Sequence, residues 1–215
     1  IGRGGLYEQF SQLNLQSAPT DAPQVHDKIE GRLAAYIQAR WKQDPAQPLA
    51  IRWALLADIP AAYTDLVERI QQTSQTDMLA QYLDLVGPYC QQDLIPHLLT
   101  LAVPQQDVKV STQAISLLGK FNDPQIASHL LEHYGAFPTA TQAGIRQILL
   151  GRPESALKLV QQVEGQKIAA KDVSAIELRI VALFKNDELN QLVEKLWGRV
   201  GPGTPDQKLA TMRRF

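Results

Sequence analysis

Five times in this chain, two or three apolar residues, often closed by glycine, stand just ahead of a turn. They are Leu55-Leu56-Ala57, Leu85-Val86-Gly87, Leu117-Leu118-Gly119, Leu149-Leu150-Gly151 and Ala182-Leu183-Phe184. Measured on the third residue, the steps are 30, 32, 32 and 33. A drifting step of this size marks one supersecondary unit repeated along the chain, and it suits a helix pair better than a strand-based coil. Neighbouring pairs must then stack, because a lone pair has nothing to cover its apolar side.

The sequence between these marks is helical in period. Ile126, Leu130, Leu131 and Tyr134 share one face, as do Leu94, Leu98 and Leu99, and Leu189, Leu192, Val193 and Leu196. Proline, aspartate or asparagine punctuates the junctions: Pro60, Pro88, Pro104, Asn122-Asp123-Pro124, Pro138, Pro153 and Asn186-Asp187. Helices are expected at 27–42, 48–57, 60–73, 76–87, 91–102, 107–120, 123–134, 138–150, 153–165, 171–184 and 186–198. No run alternates apolar and polar residues as a half-buried strand would, so no sheet is expected. The 45% hydrophobic and 20% charged content is that of an ordinary globular chain.

The sharpest repeat is Asp107-Val108-Lys109-Val110-Ser111-Thr112-Gln113-Ala114-Ile115-Ser116-Leu117-Leu118-Gly119, preceded by Ile95-Pro96-His97-Leu98-Leu99. It resembles the HEAT-repeat signature. Asp107 is expected to cap the second helix of the pair, Ala114 to let helices approach, Gly119 to end the helix and Pro96 to kink the first helix. Arg52 and Arg146 stand where the signature has its small residue, so the array is degenerate. The resemblance covers about residues 48–198. It implies an all-α fold, a right-handed α-α superhelix (a HEAT/armadillo-like solenoid) of about five helix pairs over residues 25–200. Residues 1–24 would be an N-terminal extension or the remnant of a preceding domain, and residues 201–215 a truncated linker helix.

The two ends carry a second resemblance. Thr204-Pro205-Asp206-Gln207 reads as a capping box with proline at its first helical position. With Leu196-Trp197-Gly198 before it and Lys208-Leu209-Ala210 after it, the stretch is similar to a junction in large multidomain proteins of planctomycete-type bacteria. In those proteins a sugar-dehydrogenase-like propeller is followed by HEAT-like repeats and then a c-type cytochrome module. Arg3-Gly4-Gly5-Leu6-Tyr7 resembles the last strand of such a propeller. The likeness implies a fragment of a larger exported, periplasmic redox protein. Any haem would lie outside this chain, which has a single cysteine, Cys90, and no Cys-x-x-Cys-His.

The chemistry-bearing candidates are few. His129-Leu130-Leu131-Glu132-His133 has the His-x-x-Glu-His form of inverted zinc peptidases, with two imidazoles one turn apart and Glu132 beside them. No third ligand has a motif around it, so a repeat helix with a wet polar face is the expected reading, and no cofactor or metal is expected. Cys90 has no histidine placed to activate it. Trp41, Trp53 and Trp197 read as core or end-cap fillers.

In HEAT-like arrays the second helices line the concave surface. Counting back three residues from each leucine pattern gives Arg52, Tyr82, Ala114, Arg146 and Arg179. With Lys109 these form an expected, partially basic binding face. The competing reading packs each arginine stem between helices and pairs it with a local carboxylate such as Glu177 or Glu154.

With 21 Lys+Arg against 22 Asp+Glu, the net charge of -1 lacks the basic excess of a duplex-binding domain. No apolar run reaches the roughly 18–20 residues that span a bilayer. The expected function is therefore a non-catalytic interaction or spacer module. Its partners would be a protein or neighbouring domains of the same polypeptide, with no nucleic acid and no membrane insertion, and the chain would be a monomer. A free-standing scaffold binding a protein on its concave face is the alternative. Among enzymes on helical-repeat folds, DNA glycosylases fit the charge poorly. Di-iron hydroxylases need His-Glu pairs that are absent here. A bilin lyase is left open by motif.

Overall fold

A computed structural model describes residues 23–198, with side chains from residue 31. Among the described residues there are eleven α-helices and no strand. They are α1 (Pro23–Gln43), α2 (Pro48–Leu56), α3 (Pro60–Gln72), α4 (Thr76–Val86), α5 (Ile95–Leu101), α6 (Val108–Leu118), α7 (Pro124–His133), α8 (Thr139–Leu149), α9 (Pro153–Glu164), α10 (Ala175–Ala182) and α11 (Asp187–Trp197). The chain is all-α. The expected extension, the Arg3–Tyr7 strand, the Thr204 capping box and the linker helix lie outside the described residues.

Helix starts follow the punctuation. Asp107 accepts from the Lys109 and Val110 amides at 2.8 and 3.4 Å, Asp123 from Gln125 at 2.8 Å and Asn186 from Leu189 at 3.0 Å. Ser174 and Glu177 close a reciprocal capping box at the head of α10. That box moves the start of this helix from the expected 171 to 175, leaving a 3-10 turn over Ala170–Asp172. Likewise α5 starts at Ile95 instead of 91, after a 3-10 turn over Gln92–Leu94. Pro96 sits in the first turn of α5 and does not kink a helix, because its missing N–H costs nothing there.

Gly119 ends α6 as expected, but not through a left-handed cap. Its φ of -59° is ordinary right-handed helix, so no left-handed cap calls for glycine. Close packing does: a Cβ at this position would stand 3.0 Å from Ile148 Cγ1. The positive-φ residues after α2, α9 and α10 are Asp58, Gln166 and Lys185.

The chain divides into two compact units, residues 1–65 and 66–215. In the first, α1 packs on α2, with Trp41, Ala50, Ile51, Ala54 and Leu55 buried. In the second, alternate helices stack: α4 on α6 and α6 on α8, and separately α7 on α9 and α9 on α11. The core of this unit includes the fully buried Leu83, Leu98, Leu118, Leu130, Ile145, Leu159 and Leu189.

Cations tie successive repeats together. Lys120, one residue after the glycine of its repeat, donates to the Gly87 carbonyl at 2.6 Å. Arg152, one residue after the next repeat's glycine, donates to the Gly119 carbonyl at 3.1 Å and to Phe121 O. Each cation thus meets carbonyls at the end of the preceding repeat's helix, where the macrodipole favours positive charge. Arg152→Met should cost about 1–2 kcal/mol. Thermal unfolding of the variant checks this; no loss would mean that water replaces the guanidinium at those carbonyls.

Candidate functional site

The N-caps set a common register for the second helices of the pairs. They are Gln75, Asp107, Pro138 and Ser174 for α4, α6, α8 and α10. At a given offset from the cap, side chains emerge on the same side of each helix, about 100° per residue around its axis. The second, sixth and ninth residues are Asp77, Gln81 and Asp84 on α4, and Lys109, Gln113 and Ser116 on α6. On α8 they are Ala140, Gly144 and Gln147, and on α10 Ile176, Ile180 and Leu183. All are exposed except Gln113 and Gly144, which are half-buried. This row is the open face of the second unit.

Neighbouring helices are joined along this row. Gln113 donates to Asp84 at 2.6 Å, and Lys109 stands 3.9 Å from Asp77. Thr112 and Thr141 hydroxyls pair at 3.5 Å. A groove of ≈ 590 Å³ runs between α6 and α8, floored by Thr112, Ser116, Ala140, Gly144 and Gln147 and edged by Lys120 and Arg152. The α8 side of the row is uncharged and small at Ala140 and Gly144, whereas α10 presents three large apolar side chains, 70%, 46% and 76% exposed. In the first unit, α2 carries Leu49, Trp53 and Leu56 exposed at the same offsets from its cap, Gln47.

The expected basic ladder is not one face. Tyr82 and Ala114 are buried, 3% and 0% exposed. Arg146 turns between helices, where Nη1 donates to Tyr134 Oη at 2.7 Å and Nε to Glu177 Oε1 at 3.3 Å. Burial pulls the Arg146 pKa down, but the Tyr134 hydrogen bond and the Tyr134 and Glu177 charges outweigh it and raise it. Burial pushes Glu177 up, yet hydrogen bonds from Ser174 and the Arg146 guanidinium hold its carboxyl below the usual range. Both partners stay charged, and the pair joins α8 to α10. Lys109 and Arg179 are exposed on the second unit, and Arg52 is exposed on α2 in the first.

The other candidates fall elsewhere. His129 Nε2 lies 3.1 Å from the Ala102 carbonyl and must be its N–H donor, which leaves that nitrogen no lone pair for a metal. The His129 and His133 rings meet edge to face with centroids 4.8 Å apart. His129 and Glu132 share a cleft with Lys158, a cation that disfavours a metal ion there. Among the described residues no group of three or more His, Cys, Asp or Glu side chains is placed to hold a metal, and no helix is long and apolar enough to cross a membrane. Burial pushes the Cys90 thiol up against the pull of Lys120, away from the reactive thiolate. Trp41 is buried, Trp53 is 40% exposed, and Trp197 donates to Ala170 O at 2.8 Å.

Comparison with known proteins adds no relative: no family model, no curated protein and no solved structure matches the chain.

Proposed function

We propose that this chain is a non-catalytic interaction module, built as a right-handed HEAT-like superhelix of helix pairs, which holds a protein partner on the open face of its second helices. The single observation that supports this most is the constant register. Three positions, exposed but for the half-buried Gln113 and Gly144, recur at equal offsets on α4, α6, α8 and α10, and those of α8, with Ser116 of α6, border a groove between these two helices. Repeat arrays use such continuous faces for extended contacts. The stacking of alternate helices is also what a helix-pair array requires.

Gly144 offers a test that spares the fold. A Cβ there meets nothing within 4 Å, so Gly144→Trp should leave the helix intact and fill the groove. Capture of a natural partner from the source cells is expected to fall about tenfold or more, as for a residue central to an interface. A matching change on the far side, Gln161→Trp on α9, should leave capture unchanged. Equal capture by both variants would remove the open face from the proposal.

The junction resemblance extends the proposal to the parent polypeptide, an exported redox protein in which this module would space or dock its neighbours. A Cys-x-x-Cys-His encoded beyond Phe215 would favour that parent. A complete gene without one would leave the free-standing scaffold.

A further inference from the structure

Charge in the second unit is sorted by helix. Three of the four second helices, α6, α8 and α10, with the two or three residues after them (108–120, 139–152 and 175–185), hold six cations: Lys109, Lys120, Arg146, Arg152, Arg179 and Lys185. They hold a single carboxylate, Glu177, engaged by Arg146, whereas the fourth, α4, carries Asp77 and Asp84 and no cation. The first helices α7, α9 and α11 reverse the balance, with six carboxylates against two lysines. The near-neutral total thus conceals a basic side. Lys120 and Arg152 bond to carbonyls, which are neutral, so their charge is uncompensated by those bonds.

On this basic side lie the exposed Ile176, Ile180 and Leu183, one apolar ridge at i, i+4 and i+7, with Arg179 exposed beside it. The next helix, α8, presents Ala140 and Gly144, where a partner's backbone can approach closely. Resting on the interaction reading above, we infer that the open face over α6, α8 and α10 takes an acidic amphipathic helix of a partner protein. Its apolar side chains pack against Ile176, Ile180 and Leu183 across the α8 trough, and its carboxylates face Arg179 and the cationic groove edge. An apolar stripe laid in a groove supplies the contact area, and the complementary charge sets orientation and selects against basic partners. A nucleic-acid backbone would bring phosphate but nothing to cover the three apolar side chains.

The test uses the intact chain and three labelled synthetic helical peptides, followed by fluorescence anisotropy. One carries leucine at i, i+3, i+4 and i+7 with glutamate elsewhere. The second exchanges glutamate for lysine, and the third exchanges leucine for alanine. The acidic leucine peptide should bind, more weakly as salt is raised. The other two, and a short DNA duplex, should bind at least about tenfold more weakly. Affinity for the acidic peptide should also fall about tenfold in Ile180→Asp and in Arg179→Glu. Both positions are exposed, so circular dichroism should show an unchanged helix content.

The inference is overturned if the acidic peptide fails to bind, if the lysine peptide or the duplex binds as well, or if the two variants bind like the parent. It is also overturned if sedimentation shows a dimer that Ile180→Asp dissociates, since a second copy would then be the occupant. Any of these results, alongside loss of natural-partner capture in Gly144→Trp, would refute the acidic-helix inference and leave the interaction reading standing. Unchanged capture in Gly144→Trp would strike that reading itself.

Discussion

Arg146→Ala is expected to lower the unfolding free energy by about 2–4 kcal/mol, well beyond an exposed ion pair. The side chains of Arg146 and Glu177 are only 11% and 19% exposed. Removing the guanidinium strands the Glu177 carboxylate in a half-buried site and takes the donor from the Tyr134 hydroxyl. Arg146→Lys should recover part of the loss, since an ammonium lacks the planar fork that reaches both partners. Arg146→Met with Glu177→Gln should be milder than Arg146→Ala alone, because no charge is left without a partner and glutamine keeps the capping box at Ser174. Chemical denaturation of the three variants measures this; equal stability of Arg146→Ala and parent would show that water serves the pair.

The pH dependence has a definite sign. The folded Glu177 pKa is lowered, so its contribution is present above the unfolded carboxylate value and is lost as pH falls through the folded one. The gap between parent and Glu177→Gln should therefore be widest at neutral pH and close on acidification.

Most helix boundaries were legible because the chain marks them with residues of one physical meaning. Pro48, Pro60, Pro124 and Pro153 open helices, and Asp107, Asp123 and Asn186 cap them. The binding face was harder to read. The leucine patterns drift against the N-caps, so Arg52, Tyr82, Ala114, Arg146 and Arg179 fall five, seven, seven, eight and five residues from their caps. At about 100° per residue, an offset of five points to solvent, seven to the core and eight to the helix interface. Counting from the caps recovers the open face, but of these caps only Asp107 was plain in the sequence: Gln47 and Gln75 make no side-chain cap hydrogen bond, and Ser174 lies past the expected start at 171. The cations of Leu-Leu-Gly-Lys and Leu-Leu-Gly-Arg at 117–120 and 149–152 carried a readable signal too, a positive charge just past a helix end. Pairing each with a carbonyl 33 residues back needs the stacked repeats themselves.

Leu118→Ala and Leu189→Ala make the same chemical change at two fully buried leucines in different places. Each deletion should cost about 2–5 kcal/mol locally. Leu118 belongs to α6, which packs on α4, α5 and α8; Leu189 belongs to α11, which packs on α9 and α10. If stability is a sum of neighbour-to-neighbour terms, as in a repeat array, the two losses should spread differently. Leu118→Ala should lower hydrogen-exchange protection from α4 through α8 and bring down the thermal midpoint of the unit. Leu189→Ala should speed exchange in α11 and α10 while the α6 amides keep their protection. Uniform loss of protection in both variants would instead describe one globally cooperative core. The eleven helices would still stand, but the stacked-array part of the proposal would not, and with it would go the reason for expecting one continuous face.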